Sequence, residues 1–571
     1  MMLRSKHNNK LPAVLFFLFA GGLIFQINTA SAQDTLKQQT IDIYNVYQPK
    51  LRNAAKLNLT ASLPGIDTSR PRLVYNIPAQ NLYFSYQPVP LRPLSMGKDS
   101  LATLQNNFIK IGVGNYGTPL IQAGLGSGRN DQYNYSAFFN HLSSQGTLEH
   151  QNFSNDNLGL RGQYYSGGHE FHAGFNYDRD AINYYGYDHD TVKLSKGDVH
   201  QTYNTVSVNA GLSNITENKA GFSYQPGVKM TGFFDAFGRR ESSLYVELPV
   251  QKKILNGISI VASFIGDFSH YNAGSDSSFS NNVSAIHPAV NIDKPGFLLH
   301  AGVNPTWTNG KFYLLPDIVN ETDLIKDRLI LSSGWISYVI KNSYQHLVNT
   351  NPFIGDYTSP LNTRVEEKYT GIKGTIGHIT YNTKFSFLTY TDMPLFVNDT
   401  LYGNKFNIRY EDQLNAYQLH GEIGYIEEEK FQVKLSGDWF NYFKEKTERN
   451  PYGLVPFQLN LYLQYTLLQH LHLTADASAL SGSYFLNRDG SYGKTKGALD
   501  INAGGAYDIS KNFSIWANFN NILDVKYQRW HNFPSYGLNQ RADARCWQPS
   551  GFGRERFSTS GSGSLRARKT R

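Results

Sequence analysis

From about residue 108 onward, apolar and polar positions alternate one for one. Val206, Val208, Ala210 and Leu212 interleave with Thr205, Ser207, Asn209 and Gly211. Phe431, Val433, Leu435 and Trp439 interleave with Gln432, Lys434, Ser436 and Asp438. The same holds for Leu459, Leu461, Leu463, Tyr465 and Leu467 against Asn460, Tyr462, Gln464 and Thr466, and for Leu499, Ile501 and Ala503 against Asp500, Asn502 and Gly504. Near the end, Phe513, Ile515, Ala517 and Phe519 alternate with Ser514, Trp516, Asn518 and Asn520. A period of two places successive side chains on opposite faces of a strand, whereas a helix would repeat its apolar positions every three or four residues.

The connections between these segments differ in kind. Ser166-Gly167-Gly168, Asn256-Gly257 and Asp508–Asn512 are short and carry the residues that tight antiparallel turns demand. Gly146–Asn157, Tyr187–Asp198, Gly274–Asn282 and Thr391–Asn404 are long and polar. Short turns on one side and long loops on the other predict an all-β protein, a large antiparallel transmembrane β-barrel of about 20–22 strands over residues 108–540. A soluble β-sandwich seldom needs so many strands in one run. One stretch is ambiguous: Leu329–Phe353 fits either a strand running into a loop or an amphipathic helix.

Composition fits a barrel. The mean hydropathy is negative, which a barrel tolerates because lipid-facing and lumen-facing residues average out. The 38 Tyr and 35 Phe suit interfacial girdles and loop surfaces. A single cysteine, Cys546, excludes an internal disulfide framework and a cysteine-based zinc cluster. The net charge of +8 sits at the two ends. Residues 1–32 carry +3 and residues 541–571 carry +6, leaving the middle near neutral at −1, which gives no support to nucleic-acid binding.

Residues 1–32 read as a cleaved signal peptide: Arg4, Lys6 and Lys10, an apolar Leu11–Ile24, then Ala30-Ser31-Ala32. Residues 33–107 are punctuated by Pro49, Pro64, Pro71, Pro78, Pro88, Pro90 and Pro93, which exclude long helices and central strands. They read as an extended periplasmic segment or reduced plug.

The run Asn512–Asn539, NFSIWANFNNILDVKYQRWHNFPSYGLN, resembles the closing hairpin of TonB-dependent outer-membrane receptors, with a further strand starting at Ser535–Leu538. Asn342-Ser343-Tyr344 and Asn351-Pro352-Phe353 resemble a pattern in plugless, Bacteroidota-type relatives. The resemblance implies an exported outer-membrane barrel that binds or transports a solute, with outer-membrane lipids and the barrel-assembly machinery as partners. The alternative is a non-conducting barrel that recruits partners. Thr40-Ile41-Asp42-Ile43-Tyr44-Asn45-Val46 resembles a TonB box, which adds as a strand to the energy-coupling protein; an ordinary edge strand or lead-in is the other reading. The chain departs from the family pattern in the short residues 33–107, which lack a convincing plug signature, and in residues 541–571. That basic tail is expected to lie outside the barrel, as out-of-frame sequence or a native extension.

No motif in the sequence predicts an enzyme or a cofactor. His169 and His172, three apart on a strand, face opposite sides and cannot share a metal. Asp188-His189-Asp190 reads as a solvated loop, and Gly124-Leu125-Gly126-Ser127-Gly128 as a turn. Barrel hydrolases carry Ser/His or Asp/His sets at the outer rim, and no such set is specified by the sequence. Asn460, Gln464, His470, His472, Asn502 and Asn518 are the candidate lumen-lining residues, His470 and His472 being placed on one strand face.

Overall fold

The computed structural model describes residues 107–548, apart from 128–129, 131, 216–217, 219, 275–276, 359, 428–429 and 469. The leader, the 33–106 segment with Thr40–Val46, and residues 549–571 lie outside the described residues.

Alternation alone orients the first strand, Asn107–Gly114. Ile109, Ile111 and Val113 are 54, 57 and 69 % exposed, while Lys110 between them is fully buried. Apolar out and polar in reverses the order of a soluble core and is what a hydrocarbon solvent requires. The same inversion runs along Thr118–Gly126, where Ile121 and Leu125 are exposed and Gln122 is buried.

Twenty-two antiparallel strands close into one barrel. Phe222–Tyr224 and Gly227–Asp235 count as one of them, since both pair with Arg240–Leu255 on either side of a break at Gln225-Pro226. One end carries short turns such as 167–168, 256–257, 295–296, 377–378 and 511–512. At 256–257 only glycine fits: Gly257 has φ +76°, and a Cβ there would stand 2.4 Å from the Asp293 carbonyl oxygen. The opposite end carries 145–152, 184–199, 341–362, 444–456, 481–497 and 521–538.

The expected sidedness is therefore present, with loop lengths redrawn. The connections expected at Gly274–Asn282 and Thr391–Asn404 shrink to 273–277 and 399–405, because the flanking strands run past the membrane. Ile379–Asn398 and Phe406–Glu427 are 20 and 22 residues long, against about 9–11 needed to cross. Both readings of Leu329–Phe353 hold in part: a strand, Leu329–Ile340, then a helix, Tyr344–Thr350, capped by Ser343, whose hydroxyl accepts from the His346 amide at 3.1 Å.

The C-terminal expectation is corrected. Ser535–Leu538 is loop, and the last strand is Asn539–Gln548, which pairs with Phe513–Asn520 on one side and with Asn107–Gly114 on the other. Residues 541–548 thus belong to the barrel and close it. The physical reason is in the sequence: Arg541-Ala542-Asp543-Ala544-Arg545-Cys546 alternates, but with small residues at the apolar positions. Arg541 is buried and Ala542 exposed, the same phase as the rest of the wall.

Candidate functional site

The loop end is where side chains converge. Loop 341–362 folds inward across the mouth and is held by three neighbouring strand ends. The Tyr344 hydroxyl donates to Asp235 Oδ2 at 2.7 Å, and the Tyr344 amide donates to Glu241 Oε2 at 2.7 Å. Arg239 Nε donates to Asp235 Oδ2 at 2.6 Å, and its Nη1 donates to the Gly355 carbonyl. Tyr203 and Tyr184 donate to the carbonyls of Pro352 and Ile354 at 2.8 and 3.2 Å. Asp235, Arg239 and Glu241 are buried, so each charge depends on these partners.

The second arm of the mouth is loop 521–538, and its shape follows from the motif that carries the family resemblance. Asn521, fully buried, donates through Nδ2 to the carbonyls of Val525 and Tyr536 and accepts the Val525 amide. Asp524 Oδ1 accepts the Leu538 amide at 2.8 Å. Gly537 packs against that carboxylate so closely that a Cβ would lie 2.2 Å from it. Asn-Asn-Ile-Leu-Asp is a loop-folding device.

The two arms meet in an aromatic layer. Phe353 stacks on Phe533 at 3.7 Å, Trp530 lies 5.3 Å from both Phe396 and Phe406, and Tyr185 meets Phe533 edge-on at 5.0 Å. Within it lies an unusual cation. Arg529 is 9 % exposed, and none of Nε, Nη1 and Nη2 has a hydrogen-bond partner. Its guanidinium sits 4.1 Å from the Trp530 ring, whose Nε1 is also buried without a partner. Burial pushes the Arg529 pKa down to about 10.

The lumen candidates from the sequence occupy four successive strands, on the face opposite exposed Leu473, Leu499, Ile515 and Phe519. Gln464, Thr474, Gly504 and Asn518 form one cross-strand row. Asn460 accepts from Ser478 at 2.9 Å, Gln464 accepts from Tyr462 at 2.9 Å, and Asn502 donates to Asp476 at 2.7 Å. His472 bonds Asp508 at 3.1 Å. His470 stands apart, exposed in the turn before Leu471, because the strand starts one residue later than the shared-face reading requires. These residues form a polar stripe and do not converge on one point. Asp188 likewise builds its own loop, accepting from Asp190 and Thr191, which hold it below the usual carboxylate range.

Against solved structures the chain matches iron-uptake barrels. The FrpB iron transporter of Neisseria meningitidis (F3-3 variant) aligns with a TM-score of 0.62 at 9 % identity, covering 79 % of this chain and 82 % of that one. The siderophore receptor PirA of Acinetobacter baumannii gives 0.61 at 10 % identity, covering 79 % and 81 %. The chain folds as a TonB-dependent receptor-like barrel. FpvA of P. aeruginosa, in complex with a heterologous iron-loaded pyoverdine, gives 0.59 at 12 % identity, covering 80 % and 74 %. No family model matches the chain, and no curated protein does. These neighbours are transport receptors.

The mouth is expected to loosen in acid. His346, on the helix inside the mouth, has its pKa lowered by burial. A histidine whose folded pKa lies below its unfolded value of about 6.5 contributes full stability above that pH and loses it as pH falls toward the folded value. Hydrogen exchange of the 344–350 amides should accelerate on acidification from pH 7 to pH 5, after correction for intrinsic rates. His346→Gln should flatten that response.

Proposed function

We propose that this chain is an outer-membrane receptor that binds an anionic, metal-chelating solute at its mouth and admits it to the barrel. The observation that carries the reading is Arg529. A buried guanidinium with all of its nitrogens unpaired costs free energy that a bound carboxylate or phenolate oxygen would return. The aromatic surround supplies flat apolar contact for the rest of a ligand. The iron and siderophore proteins of similar fold supply the solute class, and the polar stripe from Asn460 to Asn518 supplies the inner wall along which it would pass. Thr40–Val46 would couple release to TonB by strand addition.

Ferric chelates of negative, zero and positive charge, titrated against the detergent-folded barrel by tryptophan quenching, test this reading. The negative chelates should bind, and Arg529→Leu should weaken them by roughly 10–100-fold, from about 1.5–3 kcal/mol for hydrogen bonds to a charged group. Arg529→Lys should retain part of the affinity. Equal binding across the charge series, or by wild type and Arg529→Leu, would overturn it.

A further inference from the structure

A second constellation lies on the outer wall, away from the mouth. His141 and Ser143 are two apart on the strand Tyr133–Ser144 and so share a face. Exposed Tyr133, Tyr135 and Phe139 on the same phase show that this face is the lipid side. In the register Asp156 stands directly opposite His141, and Arg179 directly opposite Asp156. His141 Nδ1 is 2.5 Å from Asp156 Oδ1, and Ser143 Oγ is 3.3 Å from His141 Nε2. Arg179 Nη1 donates to the other Asp156 oxygen at 3.0 Å. With Nδ1–H donating to the carboxylate, the Nε2 lone pair is left for the serine hydroxyl. That is the polarity a nucleophilic serine needs: base against hydroxyl, carboxylate against the far nitrogen, and the carboxylate itself fixed by a third group.

The height on the wall gives the substrate. One rung nearer the short-turn end, Phe139, Leu158 and Tyr177 form an apolar and aromatic row. Ser143 and Ser154, one rung nearer the loop end, are the last polar pair before loop 145–152. The set therefore sits where the hydrocarbon belt gives way to headgroups on the loop side, with His141 and Asp156 27 and 23 % exposed.

We propose that Ser143, His141 and Asp156 form a lipid-facing esterase site that cleaves long-chain acyl esters of outer-leaflet lipids. Ser143 Oγ attacks the ester carbonyl carbon as its proton passes to His141 Nε2. The tetrahedral intermediate collapses with cleavage of the C–O bond, and His141 returns the proton to the departing alcohol oxygen. Water, deprotonated by His141, then attacks the acyl-serine and releases the fatty acid and Ser143. Asp156 is the positioning residue that holds the imidazole, and Arg179 holds Asp156. Ser154, opposite Ser143 on the same face, places a second hydroxyl beside the developing oxyanion.

The test uses the full-length barrel folded in detergent, confirmed folded by heat-modifiable migration. It is offered p-nitrophenyl palmitate, phosphatidylethanolamine in mixed micelles, and lipopolysaccharide, with a fluorophosphonate as covalent probe. We expect ester hydrolysis, a fluorophosphonate adduct at Ser143, and loss of roughly 10³-fold or more in kcat for Ser143→Ala and for His141→Gln, with the double variant no worse than either. Asp156→Asn should lower kcat by roughly 10³–10⁴-fold with KM unchanged, where a purely structural loss would abolish folding. Fatty acid released from phosphatidylethanolamine or from lipopolysaccharide identifies the source. Absence of both hydrolysis and adduct in the folded wild type, or equal hydrolysis by folded Ser143→Ala, would reduce the constellation to a polar ladder at the membrane boundary.

Discussion

A chain ending at Leu538 will fail to give a heat-modifiable barrel, whereas one ending at Gln548 will migrate as a folded species. Asn539–Gln548 pairs along its length with Phe513–Asn520 and with Asn107–Gly114. Removing it leaves two strand edges open to hydrocarbon, where each unsatisfied backbone group costs several kcal/mol. A handful of such groups exceeds the roughly 5–15 kcal/mol by which a folded protein is stable. The comparison of the two truncations in lipid vesicles isolates the strand from residues 549–571. Folding of the Leu538 truncation would show that the seam can close without it.

Freeing the inward loop will open the mouth. The double variant Asp235→Ala, Glu241→Ala removes the acceptors of the Tyr344 hydroxyl and amide and leaves Arg239 without its 2.6 Å partner. Breaking a buried charged pair by removing one member costs about 3–5 kcal/mol, and about 1.4 kcal/mol changes a population tenfold. The amides of 344–357 should exchange roughly 10²–10³-fold faster than in the wild type, and bilayer conductance should rise with them. Faster exchange without added conductance would mean that the loop moves but does not bound the pathway. Unchanged exchange would show that the aromatic packing alone holds it.

The wall was legible because each strand face meets one solvent. The alternation from Val206–Leu212 to Phe513–Asn520 needs no partner to be read, and it places the strands and their sidedness. Loop ends were less legible, since Met393, Leu395 and Val397 look like the edge of a loop in sequence and are buried within a long strand. The closing strand escaped because Ala542 and Ala544, which alternate with Arg541, Asp543 and Arg545 in sequence, are too weakly apolar to announce a face. Arg529 carries no local signal either; its isolation comes from loop 521–538 folding over it. The Ser143–His141–Asp156 set was half visible, for a spacing of two already puts Ser143 and His141 together. Asp156 joins them only once the register across loop 145–152 is known. By contrast Asn521 and Asp524 were visible as a motif, and the fold shows why that motif is nearly local. Its side chains bond Val525, Tyr536 and Leu538 within the loop, and only the Asn521 and Ile522 amides reach out, to Asn502 Oδ1 and the Ile501 carbonyl on the neighbouring strand.

The mouth contacts also have a mechanical side. Loop 184–199 follows the fifth strand and loop 399–405 the fifteenth, nearly half the circumference apart in a ring of twenty-two. Asn404 Nδ2 nevertheless donates to the Tyr184 carbonyl at 3.0 Å. Such a bond is a spoke across a hoop. A thin-walled cylinder resists stretching along its wall but ovalises easily, and a tie across one rim stiffens that rim alone. The tie predicts a loop end that resists ovalisation more than the short-turn end, so lateral pressure should deform the barrel from the short-turn side first.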